Sequence, residues 1–335
     1  DESCSDELLN EVLEEVMAVA RVKEDADIIM LRPETVVLEM DDYRIKVAKP
    51  PLSDKMEAMI QRSILRLVPE SDVIEPIIRE CSSGRRGVLV LNLDGVYSFP
   101  IAERVAVRLW EMGLDARIIG RARRVNSSAP YYGPLDGDLE KTLHLTLLSP
   151  PDYVIVDEAI DSRDLKLVKD ARLAGVGVIA FKQSRSFEAA ITSLIEVMSP
   201  PLLPRVIDTI ILMKCSGVSE TFHVSDSMKV PSGLSPESGI KYVIELTRAG
   251  ETVYEIYEVN GRPIISNIKE LREHIERIRR NVEEILRGSG AGNARLEALW
   301  LDKAVIRRVG RGRRGLRDLE KRLVEELGIA VEFRA

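Results

Sequence analysis

Between residues 87 and 214, short apolar runs alternate with amphipathic segments, and this alternation constrains the fold more than any other feature of the sequence. The run GVLVLNL (87–93) is continuously apolar, as expected for a strand that is buried on both faces. Similar runs recur as ARIIG, DYVIVDE, VGVIAF and VIDTIILMK, and segments of helical spacing separate them, namely IAERVAVRLWEMG, DLKLVKDARLAG and FEAAITSLIEVM. Strands that alternate with helices pair in parallel, so we expect an α/β fold with a central parallel sheet.

The flanking segments follow other patterns. Residues 5–22 carry apolar residues at helical spacing, and TVVLEM and YRIKVA read as a β-hairpin. Residues 240–265 form a β-rich annex, 267–287 a long charged helix, and GSGAGNA a flexible linker. We therefore predict four regions: an N-terminal α+β module (1–80), the α/β core with its annex (81–265), the helix and linker (266–294), and a C-terminal unit (295–335).

The C-terminal unit has its own pattern of elements. We predict a strand at LEALW, a helix at DKAVIRRV, a Gly-rich turn at GRGR, a second helix at RGLRDLEKRLVEEL and a strand at IAVEFR. This is a βααβ order.

Composition excludes several classes of protein. With 335 residues, 45% hydrophobic and 31% charged, the chain is globular, and no stretch approaches about 18 uncharged apolar residues. The N-terminus lacks a signal-peptide layout, so the cytoplasm is the expected compartment, and the missing initiator Met is what a trimmed chain would show. Scarce Gln beside abundant Glu and Arg fits a heat-adapted protein. The three Cys and three His are scattered, so we expect neither a disulfide framework nor a protein-built metal site.

The charge of the chain is unevenly distributed. The net charge is -7, which argues against a whole-protein nucleic-acid clamp. From Lys303 to Arg322, however, nine Lys or Arg residues stand against two acidic residues. A local basic surface of this kind suits a polyanionic partner.

An acidic pair follows the strand at DYVIVDE. Asp157 and Glu158 at the carboxyl end of a strand form the Walker B arrangement, in which the Asp organises Mg²⁺ and the Glu orients the attacking water. A helix N-cap or a solvated loop would show the same pair, so this motif alone leaves both interpretations open.

The phosphate-binding loop of such a fold should follow the strand at 87–93. The strand, loop and helix are present, but the chemistry differs, because a phosphate cradle needs glycines, a Lys and a Ser or Thr. In this loop, only Gly95 survives among the glycines; Val96 follows it, Tyr97 takes the second glycine position, Ser98 the Lys position, and Phe99 and Pro100 the Ser/Thr steps. No side chain in 93–100 is positively charged, and Asp94 adds a negative charge.

Several blocks of this sequence resemble the archaeal PIN-domain ATPases, whose motor is akin to PilT-like secretion and pilus-retraction ATPases and which carry a KH-like RNA-binding unit. The blocks are YRIKVAKPPLSD (43–54), SPPDYVIVDEAIDSRDLKLVKDARLAGVGVIAF (149–181), LLPRVIDTIILMK (202–214), MKVPSGL (228–234) and YEIYEVNG (254–261). The resemblance covers roughly residues 25–335 and implies a RecA-like P-loop ATPase core. Asp157, Glu158 and Arg172 match the family pattern, and the resemblance implies catalytic roles for them.

The sequence departs from that family in three ways. The PIN nuclease domain that would precede residue 1 is absent from this chain, the Walker A loop is degraded, and Gln183 stands where the family has a His that would sense the γ-phosphate. Metal-organising residues thus remain while phosphate-binding ones are lost. This pattern indicates a pseudo-ATPase that needs no cofactor, with ATP and Mg²⁺ relevant only if the degenerate site still binds them.

The C-terminal unit resembles a KH domain, which clamps a nucleic-acid backbone with a G-x-x-G loop between two helices. One register places this loop at Gly310-Arg311-Gly312-Arg313, with Arg for the last glycine, and a second at Gly312-Arg313-Arg314-Gly315. Arg314 and Arg317 would add phosphate contacts. A solvated basic helix face remains the alternative.

Three functions therefore compete. The first is an RNA-binding scaffold on an inactive motor, oligomeric or associated with a ring. The second is an active hexameric P-loop ATPase motor coupled to RNA processing, in which Arg85, Arg86 or Lys182 replaces the lost charge. The third is a non-catalytic subunit that partners an active ATPase. None of the three calls for insertion into a membrane.

Overall fold

The computed structural model describes residues 6–23, 26–40, 43–62, 68–94, 99–121, 127–214, 217–288, 294–308 and 316–334. The chain divides into two compact units, residues 1–223 and 224–335, and the division falls within one long strand. The four predicted regions are finer than this division and stay a prediction.

The first unit begins with a small α+β layer. Helix α1 (Asp6–Val22) packs on a four-stranded antiparallel sheet in the order β1-β2-β3-β4, whose strands are Ala26–Arg32, Thr35–Met40, Tyr43–Ala48 and Glu57–Arg62. The hairpin predicted from TVVLEM and YRIKVA is β2–β3, and it is confirmed. Leu13 and Met17 of α1 meet Val36, Leu38 and Val47 in the core of this layer.

The rest of the first unit is a mainly parallel α/β sheet. Its strands are β5 (Gly87–Asn92), β6 (Ala116–Ile119), β7 (Tyr131–Tyr132), β8 (Tyr153–Val156), β9 (Gly177–Gln183), β10 (Thr209–Lys214) and the start of β11 (Gly217–Lys229). Its helices are α2 (Glu70–Cys81), α3 (Phe99–Glu111), α4 (Leu139–Leu147), α5 (Ser162–Leu173), α6 (Phe187–Val197) and α7 (Leu203–Val206).

The strand order of this sheet defines its class. The strands lie in the order β11-β10-β5-β9-β8-β6-β7, and only β11 is antiparallel to its neighbour. Among the five longer parallel strands, the fifth in the chain lies beside the first, and the fourth separates the first from the third. This is the order of a RecA-like core, and the predicted α/β class is confirmed. Each of the five predicted strands is present, and the side chains of each are largely buried, as continuous apolar runs predict.

The second unit contains an antiparallel sheet and a smaller α/β layer. The sheet consists of β12 (Lys241–Arg248), β13 (Glu251–Val259) and β14 (Arg262–Asn267), and a short 3-10 helix (Pro236–Ser238) precedes it. Helices α8 (Ile268–Gly288) and α9 (Leu316–Leu327) accompany a three-stranded sheet of β15 (Ala294–Leu299), β16 (Lys303–Arg308) and β17 (Ala330–Arg334).

One predicted element of the second unit is wrong. The segment DKAVIRRV was expected to be a helix, whereas residues 303–308 form the central strand β16, so the described order is ββαβ rather than βααβ. The reason is pairing: β16 runs antiparallel to β15 and parallel to β17, and the β-branched Val305 and Ile306 are buried between these neighbours. The helix was predicted from the spacing of apolar residues within the segment, and this spacing contains no information about pairing with β15 and β17.

Among the described helices, none combines the length and the apolar character that a membrane crossing requires.

Candidate functional site

The carboxyl ends of the parallel strands meet at one edge of the sheet of the first unit, where open α/β sheets bind their ligands. The loop 93–100 follows β5, and Asp157 and Glu158 follow β8. Strand β9 lies between them and pairs with both. The two predicted motifs are therefore about 10 Å apart, which is two inter-strand spacings.

Part of the predicted phosphate loop lies outside the described residues. Gly95, Val96, Tyr97 and Ser98 are in this group, and the side chain of Phe99 is not described. The structure describes the loop's two ends: Leu93 and Asp94, which follow Asn92 at the end of β5, and the start of α3.

Asn92 is a residue that the sequence reasoning missed. Counted back from Ser98 in the pattern G-x-x-x-x-G-K-[ST], Asn92 stands at the first glycine position. Its side chain is buried, and its Oδ1 accepts the backbone N–H of Asp94 at 3.1 Å. Such a turn uses an amide that a phosphate cradle would turn toward its ligand. The pattern count could have found this position from the sequence.

The start of α3 also differs from a phosphate-binding helix. Phe99 is the first residue of the helix and Pro100 the second. Helix N-termini bind phosphate through free backbone N–H groups, and proline has none. The first turn of α3 therefore offers one donor fewer than a Ser or Thr at this step would provide.

Asp157 is buried, with 3% of its surface exposed, at the end of β8. Its backbone N–H donates to the carbonyl oxygen of Ile119 on β6 at 3.0 Å. The residue after β6 is Gly120, where an added Cβ would lie 2.2 Å from Tyr131 Oη and 3.1 Å from Asp157 Cβ. A larger residue at position 120 would force the Tyr131 side chain to shift, so Gly120 and Tyr131 define one wall beside Asp157.

Glu158 forms an ion pair with Arg44 of the N-terminal α+β layer. Its Oε2 accepts a hydrogen bond from Arg44 Nη1 at 3.0 Å, and Arg44 Nε donates to Glu39 Oε1 at 2.7 Å. The side chains of Arg44 and Glu39 are 15% and 6% exposed, and that of Glu158 is 31% exposed. The carboxylate that would orient an attacking water thus forms an ion pair with a guanidinium of β3.

The helix-cap interpretation of the acidic pair does not hold. Helix α5 is capped by Asp161, whose side chain accepts the N–H groups of Arg163 and Asp164, and Asp164 completes a capping box. Asp157 and Glu158 precede this cap and take no part in it.

A buried lysine supports the same loop. Lys182 at the end of β9 donates through Nζ to the carbonyl oxygen of Ala159 at 3.3 Å and lies 3.5 Å from that of Ile160. Burial lowers the pKa of Lys182. Its ammonium group therefore holds the loop that follows Glu158.

Arg172 does not join Asp157 and Glu158. It lies in the last turn of α5, and its Nη2 is 3.2 Å from Asp208 Oδ2, which also accepts the N–H of Gly87. Gly87 is the first residue of β5, so Arg172 lies at the amino edge of the sheet, about 17 Å along the strand from Asn92.

The residues predicted to contact nucleic acid fall mostly outside the described part of the chain. Gly310, Arg311, Gly312, Arg313 and Arg314 lie outside the described residues. Arg317 belongs to the first turn of α9, but its side chain is not described. Their flanking elements, β16 and α9, are both present.

Within the described part of the chain, no group of three or more His, Cys, Asp or Glu residues is arranged to hold a metal ion.

Fold and site together define an α/β protein with a RecA-like strand order and an acidic pair at the carboxyl edge of its sheet. No protein-family model matches the chain. The chain is 28% identical over 244 residues to an uncharacterized KH- and PIN-domain-containing protein of Methanocaldococcus jannaschii, covering 71% of this chain and 38% of that protein. It is 24% identical over 269 residues to the Holliday junction branch migration ATPase PINA of Sulfolobus acidocaldarius, covering 79% of this chain and 53% of that protein.

These two relatives support the predicted relationship to KH- and PIN-domain ATPases. The chain spans about half the length of these relatives or less. Solved structures with a similar arrangement include the VirB11 ATPase of Brucella suis, at 12% identity and a TM-score of 0.38, covering 62% of this chain and 95% of that one. The pilus retraction motor PilT is similar at 11% identity and a TM-score of 0.34, covering 70% and 82%. Because these TM-scores are low, the fold class rests on the strand order of the sheet and not on these structures.

Proposed function

We propose that this chain is a nucleic-acid-binding scaffold built on an ATPase fold, and that it hydrolyses ATP poorly or not at all. One observation carries the nucleotide part of the proposal. At the two described ends of the loop 93–100, backbone donors are engaged or missing: the N–H of Asp94 donates to Asn92, and Pro100 has no N–H. Phosphoryl transfer depends on such donors and on a cation, and the loop sequence carries no cation.

An active motor would need a replacement for the missing lysine. Arg85 and Arg86 precede β5, whereas the loop follows it, and Arg85 pairs with Asp152 at 3.0 Å. Lys182 donates to backbone carbonyl oxygens behind the acidic pair. The positions of all three cations favour an inactive site over an active motor.

The nucleic-acid part rests on the C-terminal unit. One relative is named for a KH domain and the other for branch migration of Holliday junctions. In this chain, the basic segment 303–322 begins with β16, continues through residues 309–315 of the sequence and ends within α9. We favour single-stranded RNA as the ligand because KH units clamp unpaired strands.

Nucleotide binding and turnover test the first part. We expect no saturable binding of Mg-ATP at millimolar concentration and no Mg-dependent turnover. Turnover near about 1 per second that Glu158→Gln abolishes would refute the inactive site, since typical phosphoryl-transfer enzymes reach that rate. Asp157→Asn serves as a second variant, because it removes the metal-organising carboxylate and keeps the shape of the side chain.

Titration with RNA tests the second part. Arg311→Glu together with Arg313→Glu should weaken binding of a single-stranded RNA and reduce its salt dependence. The matched control is Arg272→Glu with Arg277→Glu, which makes the same charge change on the exposed face of α8. If the loop variant binds like the control, or the parent does not bind at low salt, the unit is a protein-contact module and the chain is better explained as a non-catalytic subunit.

A further inference from the structure

The sheet β15-β16-β17 has one apolar face, and on its other face charged side chains flank the buried Val305. Ala304 and Ile306 of β16 and Val331 and Phe333 of β17 pack into the core that α8 and α9 cover. Because side chains alternate along a strand, the residues between them project from the opposite face.

Three arginines form a row across that opposite face. Arg295 of β15 pairs directly with Arg307 of β16, and Arg307 pairs directly with Arg334 of β17. Directly paired residues share a face, so all three side chains leave the sheet on the same side. We call Arg295, Arg307 and Arg334 the arginine row.

Two acidic groups, Glu297 and Glu332, lie near Arg334 at the β17 end of the row. Lys303 forms ion pairs with Glu237 and Glu332, and Arg334 Nε donates to Glu332 Oε1 at 2.8 Å. Among the described carboxylates, none forms an ion pair with Arg295 or Arg307. Arg307 is exposed, and Arg334 is 55% exposed. The row therefore keeps an excess of positive charge in contact with solvent.

Like charges placed directly opposite each other on neighbouring strands destabilise a sheet. Here two such pairs adjoin, within about 10 Å across three strands. A partner with closely spaced negative charges would relieve this repulsion, and the planar guanidinium group matches phosphate oxygens in a bidentate manner.

We propose that the arginine row is a binding surface for the phosphates of a nucleic-acid backbone. The inference rests on the nucleic-acid part of the proposed function but uses none of the residues of the loop, so the two can fail separately.

The test is a titration of the full chain with single-stranded RNA at several salt concentrations. In Arg295→Gln with Arg307→Gln, the slope of log K against log salt should fall in magnitude by about 0.7 per arginine, which corresponds to roughly eightfold weaker binding per arginine at about 50 mM salt. Arg272→Gln with Arg277→Gln carries the same charge change and should bind like the parent. Arg307→Lys keeps the charge and should keep the slope.

Stability provides a second readout. Relief of the like-charge pair predicts that Arg307→Gln raises the unfolding midpoint at low salt and that the gain disappears at high salt. A row with a merely structural role would give a lower midpoint at every salt concentration, which would overturn the proposal.

The remaining outcomes separate the possible failures. If the row variant binds like the parent while the loop variant Arg311→Glu/Arg313→Glu binds weakly, the arginine row is overturned and the proposed function stands. If the parent does not bind RNA at low salt, both are overturned. If polyglutamate of equal charge displaces RNA as well as unlabelled RNA does, the surface recognises acidic protein and the nucleic-acid assignment is overturned.

Discussion

The ion pair between Arg44 and Glu158 gives a prediction that separates a structural glutamate from a catalytic one. The two residues are 114 positions apart in the chain, yet their side chains meet at 3.0 Å. We expect Glu158→Gln to lower the free energy of unfolding of the first unit because it removes this contact.

The magnitude follows from burial and from the number of partners. Arg44 is 15% exposed and contacts two carboxylates, one of them the nearly buried Glu39. Removing one member of a buried ion pair costs about 3–5 kcal/mol, so partial burial places Arg44→Gln near about 3 kcal/mol. Glu158→Gln leaves Arg44 paired with Glu39, and should cost only about 1 kcal/mol. The coupling between the two changes should be about 1 kcal/mol.

A double-mutant cycle measures this coupling. The chain contains two tryptophans, and Trp110 lies in the first unit. In a Trp300→Phe background, the fluorescence of Trp110 during urea unfolding therefore reports the first unit. The matched control is the exposed pair Lys141–Asp136, at 3.1 Å with side chains 53% and 72% exposed, for which we expect less than about 0.5 kcal/mol.

Two results would refute this reasoning. A coupling energy no larger than that of the control pair would show that Arg44 does not hold Glu158 in solution. A Glu158→Gln variant as stable as the parent that instead loses a measurable ATPase activity would return Glu158 to a catalytic role.

Gly120→Ala should destabilise the first unit by about 1–3 kcal/mol, because the new methyl group would lie 2.2 Å from Tyr131 Oη; thermal unfolding checks this, and Tyr131→Phe in the same chain should restore part of the loss. Hydrogen bonds from Arg334 and Lys303 lower the pKa of Glu332 from its ordinary value of 4.5 to about 2, so its contribution to stability is complete above about pH 4.5 and is lost as the pH falls toward 2. In Glu332→Gln, the free energy of unfolding of the second unit should therefore fall less steeply as the pH drops from about 4.5 to 2. An unchanged pH dependence would contradict the ion pairs of Glu332 with Arg334 and Lys303.

Many of the strands and helices of the first unit can be predicted from the local pattern of apolar residues. The five parallel strands, α3, α5 and α6 were predicted because each has a run or a periodicity within its own segment. The position of Asp157 and Glu158 at the end of β8 followed in the same way. Several short elements, including β1, β4, α2 and α4, were not predicted, since their apolar residues are few or their neighbours supply the burial.

The site required long-range contacts that no local pattern encodes. Arg172 lies on the predicted helix, but the pairing of that helix with Asp208 places it at the amino edge of the sheet. The Asn92–Asp94 turn is local, and the glycine pattern, counted back five residues from Tyr97, predicts the position of Asn92.

The sequence by itself determined that this protein has a parallel α/β core, an acidic pair at the end of a strand, a phosphate loop without its lysine, and a basic C-terminal segment, because each of these is written in neighbouring residues. Only the tertiary structure decided that Glu158 pairs with Arg44, that residues 303–308 form a strand, and that Arg295, Arg307 and Arg334 stand side by side. The physical reason is that strand register and ion pairing join residues far apart in the chain, and their free energy is gained only when the whole sheet is assembled.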